Sequence, residues 1–440
     1  MTKERIGSVI YFLLTGMIVC GAAFFNKYPL VTDASAGFME SSFILEAPHG
    51  QPFGYPLYLR ITGWQSTFWP AIIYQGFLLN FLLIRTIRLL VPTIPWRALH
   101  FPMVIGLALL SSMSWMAGAL LPAIFLSILL LSVFLFFADQ DRRPIHLLPT
   151  GFLIFTAVVT ETSHIFFAIL LVLCLLAYGR ARRHATEKLT DFRWRNYTLL
   201  SIVVLACLSI PVWNAFDGQG FAPHLRLHMH LNARMDAHGL LQEALPDHCQ
   251  GFDNPNPVCG MATFKLKQDR AYFAHRDSFW TSTEAWEDPQ NHYHALAGDL
   301  FGRHWLTYFV NGVTDGLSGL ARQNVRTAFG LMRRGAPPHT VMQRRLRHEY
   351  RHFMNSRQNQ GGLPKPFLFF LHLPVMLLSA GYLLWHGRKG DLPLNWRFFL
   401  WLLVLGIGLN ALVQGILMGP DVIGDAKLGW LLPFAAGCLW

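Results

Sequence analysis

Apolar and polar residues alternate along this chain in long blocks. Ten apolar runs stand out: Gly7 to Phe25, Pro70 to Val91, Leu99 to Met113, Ala117 to Phe137, His146 to Val159, Ile165 to Tyr178, Tyr197 to Phe216, Phe367 to Trp385, Phe398 to Met418 and Leu428 to Leu439. Uncharged stretches near 20 residues are the length of a helix that crosses a bilayer. Several runs are shorter and sit in pairs split by polar residues, such as Thr160-Glu161-Thr162-Ser163-His164, a pattern also met where helices dip in and return. The pattern predicts an all-α polytopic membrane protein with about ten transmembrane or re-entrant helices.

Between the runs, charge is unevenly placed. Lys3 and Arg5 precede the first run, and basic clusters lie at 85–97, 142–143, 180–195 and 388–397. If every run crosses, all of these fall on one side, which the positive-inside rule makes cytoplasmic along with both termini. The Asp33 loop, the Glu161 junction, residues 217–365 and the loop before Lys427 then share the outer side. The expected organisation is a transmembrane module over 1–216 with a first outer loop at 26–69, an extracytoplasmic domain over 217–365, and closing helices over 366–440. The outer domain reads as mainly helical: His224 to Leu245 and the basic Thr340 to Met354 are both helix candidates, the latter suited to anionic headgroups or to solvent. The first run reads as a signal anchor, because it is longer than the apolar part of a cleavable signal.

Composition agrees with this class. Of 440 residues, 53% are hydrophobic and 14% charged, against about a quarter charged in soluble domains. The net charge of +11 follows from the loop bias, so no nucleic-acid partner is implied. Six cysteines are present. Four lie in apolar runs, while Cys249 and Cys259 lie in a polar, proline-containing stretch and are candidates for a disulfide in an oxidising compartment.

The candidate chemistry centres on Asp33, just beyond the first apolar run, within YPLVTDASAGFMESSFILEAPHGQPFGYPLYLR. A carboxylate there is costly to desolvate unless it is paired or used, so helix cap and catalytic base or metal ligand are the competing readings. Glu40, His49, Tyr55 and Arg60 share its loop as candidate substrate contacts; Arg60 equally suits snorkelling to the interface. Glu161 with His164, and Lys427 in the last outer loop, are the other candidates; an interior histidine and an ordinary charged turn are their bland counterparts. Among 19 histidines, the pairs His228/His230, His292/His294 and His348/His352 have metal-compatible spacing, without the third ligand that a catalytic site needs. There is no Gly-rich phosphate loop, nucleophile elbow or Cys-x-x-Cys, which argues against ATP-driven and thiol redox chemistry.

An acid just after the first span, a loop running into Gly54-Tyr55-Pro56-Leu57-Tyr58, paired short spans and a large outer domain together resemble the GT-C superfamily of integral-membrane glycosyltransferases. Protein O-mannosyltransferases and lipid A aminoarabinose transferases are of this type. The resemblance implies a bacterial inner-membrane enzyme acting on the outer face. It would move a sugar from a polyprenyl-phosphate donor to a glycan, lipid or protein acceptor, with membrane lipids as its surroundings. Asp33 takes the place of the family's first-loop acid, although Ala34 stands where many members carry a second one. Glu161 would be the later catalytic acid, Lys427 the basic residue near the lipid phosphate, and Mg or Mn an optional cofactor. A transporter or flippase of lipid-linked or polar substrates, and a non-catalytic envelope-assembly protein, remain as alternatives.

Overall fold

The computed structural model describes residues 3–46, 51–139, 144–181, 189–216, 231, 234–235, 238–240, 289–321, 329–332, 335–390, 392–418 and 422–440. Among them the chain is helical, and the only pairing of extended backbone is a parallel bridge between Leu30 and Ala119. The chain forms two units: residues 1–223, 322–410 and 422–440, and residues 224–321 with 411–421. Residues 322–365 belong to the first unit.

The first unit begins with α1 (Lys3–Val19) and α2 (Gly21–Asn26), broken at Cys20, then α3 (Asp33–Ile44) and α4 (Gly54–Gly63). α5 (Trp69–Leu90) carries Pro70 in its first turn, where a fixed φ and a missing N–H cost nothing. Its 22 residues rise about 33 Å. α6 (Trp96–Leu110), α7 (Met113–Ala117), α8 (Ala123–Ala138), α9 (Pro144–Val158), α10 (Thr162–Ala181) and α11 (Leu189–Phe216) follow.

Ten apolar runs give four helices long and apolar enough for a full crossing among the described residues: Trp69–Leu90, Thr162–Arg180, Phe192–Phe216 and Leu394–Leu417. Trp96–Leu110, Ala123–Ala138 and Leu147–Val158 are apolar but shorter. α8 is enclosed by protein. It is hydrophobic all round, and every residue except Phe137 is buried by other helices, as expected of a central core element.

The two ends of these helices differ in chemistry. At one end Arg85 pairs with Asp139 at 2.5 Å, and Arg195 donates to the carbonyls of Phe136 and Phe137 at the end of α8. Such cations satisfy C-terminal carbonyls and complement the helix dipole. Trp396 Nε1 donates to Leu90 O at this same end. Arg85, Arg195 and Trp396 thus gather at the C-terminal ends of α5 and α8.

The basic stretch from Thr340 to Met354 is two helices rather than one. α13 (Pro337–Arg345) and α14 (Arg347–Met354) are separated at buried Leu346, whose φ of −127° and ψ of 57° break the helix. α15 (Lys365–Arg388), α16 (Leu394–Val413), α17 (Val422–Gly429) and α18 (Leu431–Leu439) complete this part of the chain.

In the second unit, α12 (Pro289–Ala321), kinked at His304, packs on a π-helical turn at Gln414–Met418. Arg234, 3% exposed, donates to Asp315 at 2.6 Å and to Gly415 O at 2.7 Å. Tyr308 donates to Ile416 O. The π turn leaves carbonyls without their usual helical partners, and these two side chains take them up. The amphipathic stretch from His224 to Leu245 lies largely outside the described residues.

Candidate functional site

The backbone leading to Asp33 is held on two sides. Leu30 N donates to Gly118 O and Leu120 N to Leu30 O, a short β-like link to the loop before α8. On the other side the Gln358 amide mimics a neighbouring strand: Val31 N donates to its Oε1 at 3.1 Å, and its Nε2 donates to Val31 O at 2.6 Å. Gln358 N in turn donates to Asn26 Oδ1 at 2.7 Å. Thr32 then caps α3, its side chain exchanging hydrogen bonds with Ser35 in a capping box. Asp33 follows in the first turn of α3, exposed. That position suits a carboxylate electrostatically. Among the described residues nothing pairs with or donates to it.

Other first-loop candidates have partners. Glu40 receives hydrogen bonds from Arg344 and Arg345. Arg60 donates to the carbonyls of Ser42 and Phe43, closing the C-terminal end of α3. Tyr55 is fully buried and donates to Gln75 Oε1 at 3.0 Å, while Gln75 Nε2 holds the carbonyls of Ala117 and Ala119. His49 lies outside the described residues, as do Cys249 and Cys259.

Glu161, His164 and Lys427 come together. Lys427 Nζ donates to Glu161 Oε1 at 2.6 Å and lies 3.3 Å from Ser163 Oγ. Ser163 Oγ donates to the same Glu161 oxygen at 2.8 Å. His164 Nε2 is 3.3 Å from Glu161 Oε2, and its Nδ1 faces Ala157 O and Thr160 Oγ1, each at 3.0 Å. Lys427 and Glu161 are 4% and 14% exposed at the side chain. Burial pushes the Glu161 carboxyl up. The Lys427 ammonium, the adjacent His164 and the hydrogen bonds from Lys427 and Ser163 outweigh that and hold it below the usual carboxylate range.

Lys427 is aimed by its backbone. Ser127 donates to Lys427 O at 2.5 Å and Ser112 to Ala426 O at 3.3 Å, taking up carbonyls near the C-terminal end of α17. Trp430 Nε1 donates to Ser127 Oγ at 3.0 Å. The Glu161 junction also touches the first loop. Thr162 N donates to Gln51 Oε1 at 3.1 Å, and Gly54 sits where a Cβ would lie 2.2 Å from Val159 O. Only glycine admits that approach. Gln51, Ser127 and Gln358 carried no sequence signal, because a single amide or hydroxyl in a loop or apolar run forms no pattern.

Among the described residues, no group of three or more His, Cys, Asp or Glu side chains could hold a metal ion. His348 and His352 lie on exposed positions of α14, and His348 Nε2 is 2.7 Å from Ser66 O. Comparison of the chain with protein families, curated proteins and solved structures gives no match.

Proposed function

We propose that the chain is a membrane-embedded glycosyltransferase of the GT-C kind, taking a sugar from a polyprenyl phosphate on the outer face of a bacterial inner membrane. The acceptor is a hydroxyl or amine of a glycan, lipid or protein. The single observation that carries the reading is the contrast between Asp33 and its neighbours. Glu40 and Glu161 are neutralised by cations, whereas Asp33 is an exposed carboxylate on backbone fixed from two sides.

In one inverting displacement the acceptor oxygen or nitrogen attacks the anomeric carbon as its proton passes to Asp33. The bond from that carbon to the phosphate oxygen breaks, and polyprenyl phosphate leaves with the electron pair. A positioned base is worth about 10²–10⁴-fold. Developing charge on the phosphate calls for a fixed cation, and Lys427 is the proposed one. Glu161, expected from sequence as a second catalytic acid, is proposed instead as the group that holds Lys427. A carboxylate oxygen engaged by an ammonium and a hydroxyl is a weak base.

The test is sugar transfer in membranes from a panel of radiolabelled polyprenyl-phosphate sugars, comparing wild type with Asp33→Asn at equal folded protein. Wild-type transfer with a loss of about 10²–10⁴-fold in the variant is the expected result. A fully active variant removes Asp33 from the role, and no transfer by wild type from any donor removes the class.

A transporter reading has one observation in its favour: the buried Lys427, Glu161 and His164 cluster resembles the charge groups that line ion and proton pathways. Uptake of polar solutes into vesicles, abolished by Glu161→Gln but not by Asp33→Asn, would select it.

A further inference from the structure

An open cavity of about 610 Å³ runs between the first two helices and α6, walled by Leu14, Ile18, Phe25, Leu109, Trp115 and Pro364. Its lining is almost wholly apolar. Ser114, the one hydroxyl there, accepts a hydrogen bond from Ala22 N at 2.8 Å. Leu14, Phe25 and Leu109 are 54%, 40% and 63% exposed, so the cavity opens sideways. From Leu14 to Phe25 it extends about 16 Å along the helix axis.

The Phe25 end is cationic. The Arg357 guanidinium lies over the Phe25 ring, 4.0 Å from its centroid, and its backbone is fixed by Arg357 N donating to Asn26 O. Lys27, two residues beyond Phe25, is exposed and held with φ of 67° at the end of α2. Among the described residues neither cation has a carboxylate partner. Phe24 stacks on Trp69 at 5.2 Å beside them, an aromatic setting typical of a headgroup region. An apolar slot ending in two unneutralised cations is complementary to a lipid with one chain in the slot and a phosphate at its mouth.

We infer that this cavity is a binding site for an anionic phospholipid of the surrounding bilayer. One acyl chain lies along Leu14 to Phe25, and the phosphate rests against Arg357 and Lys27. A methylene takes about the room of a water, ~30 Å³, so the cavity holds about twenty of them. That suits one fatty acyl chain. None of the cavity's walls comes from α8, α9, α10 or α17, so the lipid site is separate from Lys427 and Glu161. The inference rests on the membrane reading of the chain and not on sugar transfer.

The test is native mass spectrometry of the full chain, purified from membranes and exchanged into micelles holding phosphatidylglycerol or phosphatidylcholine with identical chains. One phosphatidylglycerol per chain is expected to survive detergent stripping, with phosphatidylcholine retained at least tenfold less. Lys27→Gln with Arg357→Gln should erase that preference, Arg357→Lys should keep most of it, and Ala108→Trp should exclude both lipids by filling the slot. Each variant's melting temperature checks folding. Equal retention of the two lipids, or retention unchanged in Ala108→Trp, overturns the proposal. So does polyprenyl phosphate displacing phosphatidylglycerol at equal concentration, which would make the cavity a donor site. A lipid-free dimer burying the slot would overturn it as well.

Discussion

Lys427 Nζ lies 2.6 Å from Glu161 Oε1, joining residues 266 positions apart across the helix bundle. Both side chains are largely withdrawn from water, and the pair is completed by Ser163 and faced by His164. Removing one partner from such a pair leaves an uncompensated charge, which costs more than the pair itself contributes. Lys427→Met should therefore destabilise the folded chain by about 3–5 kcal/mol. Glu161→Gln combined with Lys427→Met should recover much of that loss. A double-mutant cycle of thermal unfolding in detergent checks it, and additive single effects would refute the coupling.

Acid should weaken the same contact over a defined range. The Glu161 carboxyl is shifted from the usual 4.5 down to about 2 in the folded chain. A lowered folded value means that the stabilisation is fully present above pH 4.5 and is lost as pH falls toward 2. The stability difference between wild type and Glu161→Gln should be flat from pH 5 to 8 and shrink below about pH 4.5. Unfolding midpoints across that range test the direction.

Gly54 sets how closely the first loop meets the Glu161 junction. A methyl there would lie 2.2 Å from Val159 O, and a backbone carbonyl cannot rotate aside as a side chain can. Gly54→Ala should cost about 1–3 kcal/mol and loosen the Thr162 to Gln51 hydrogen bond. Faster hydrogen exchange at Thr162 N would register it; a neutral substitution would mean that α4 shifts freely.

Gln358 makes a two-bond contact to Val31 that fixes the approach to Asp33. Gln358→Leu strands a buried N–H and a carbonyl, at about 1–3 kcal/mol for each unsatisfied group. Reduced exchange protection at Val31 N is expected, together with a fall in any activity that needs Asp33. Unchanged protection would show that the Leu30 to Gly118 link suffices.

Gly415 lies where a Cβ would be 2.0 Å from Gly312 O. Gly415→Ala should push α12 off the π turn and cost the second unit about 1–3 kcal/mol. Hydrogen exchange over 305–318 should rise, and exchange over α8 should not.

Much of the helical frame was legible because a bilayer and a core both demand long apolar runs, and a run is a local property. The run at Pro70 to Val91 and the helix Trp69–Leu90 nearly coincide. Glu161 and His164 were readable as neighbours, since a three-residue spacing places them on adjacent turns. The positions of the basic clusters were equally plain in the sequence, and the contacts of Arg85 and Arg195 place these two at one end of the bundle.

What only the tertiary structure decided is which charges are neutralised and which helices are enclosed. Arg60, a candidate substrate contact or interface anchor, closes the end of α3, and Glu40, a candidate substrate contact, is held by two arginines. α8, read from sequence as a transmembrane or re-entrant helix, is wrapped by protein. Apolar patterning responds to the absence of water and cannot distinguish lipid from neighbouring helices. Charge pairing depends on atoms a few ångströms apart whose residues stand hundreds of positions apart, as Lys427 and Glu161 do. The amino-acid order by itself determined a helical chain with membrane-length apolar segments and polar junctions between them. Three-dimensional packing alone gave Lys427 its carboxylate and, among the described residues, left Asp33 without a cation.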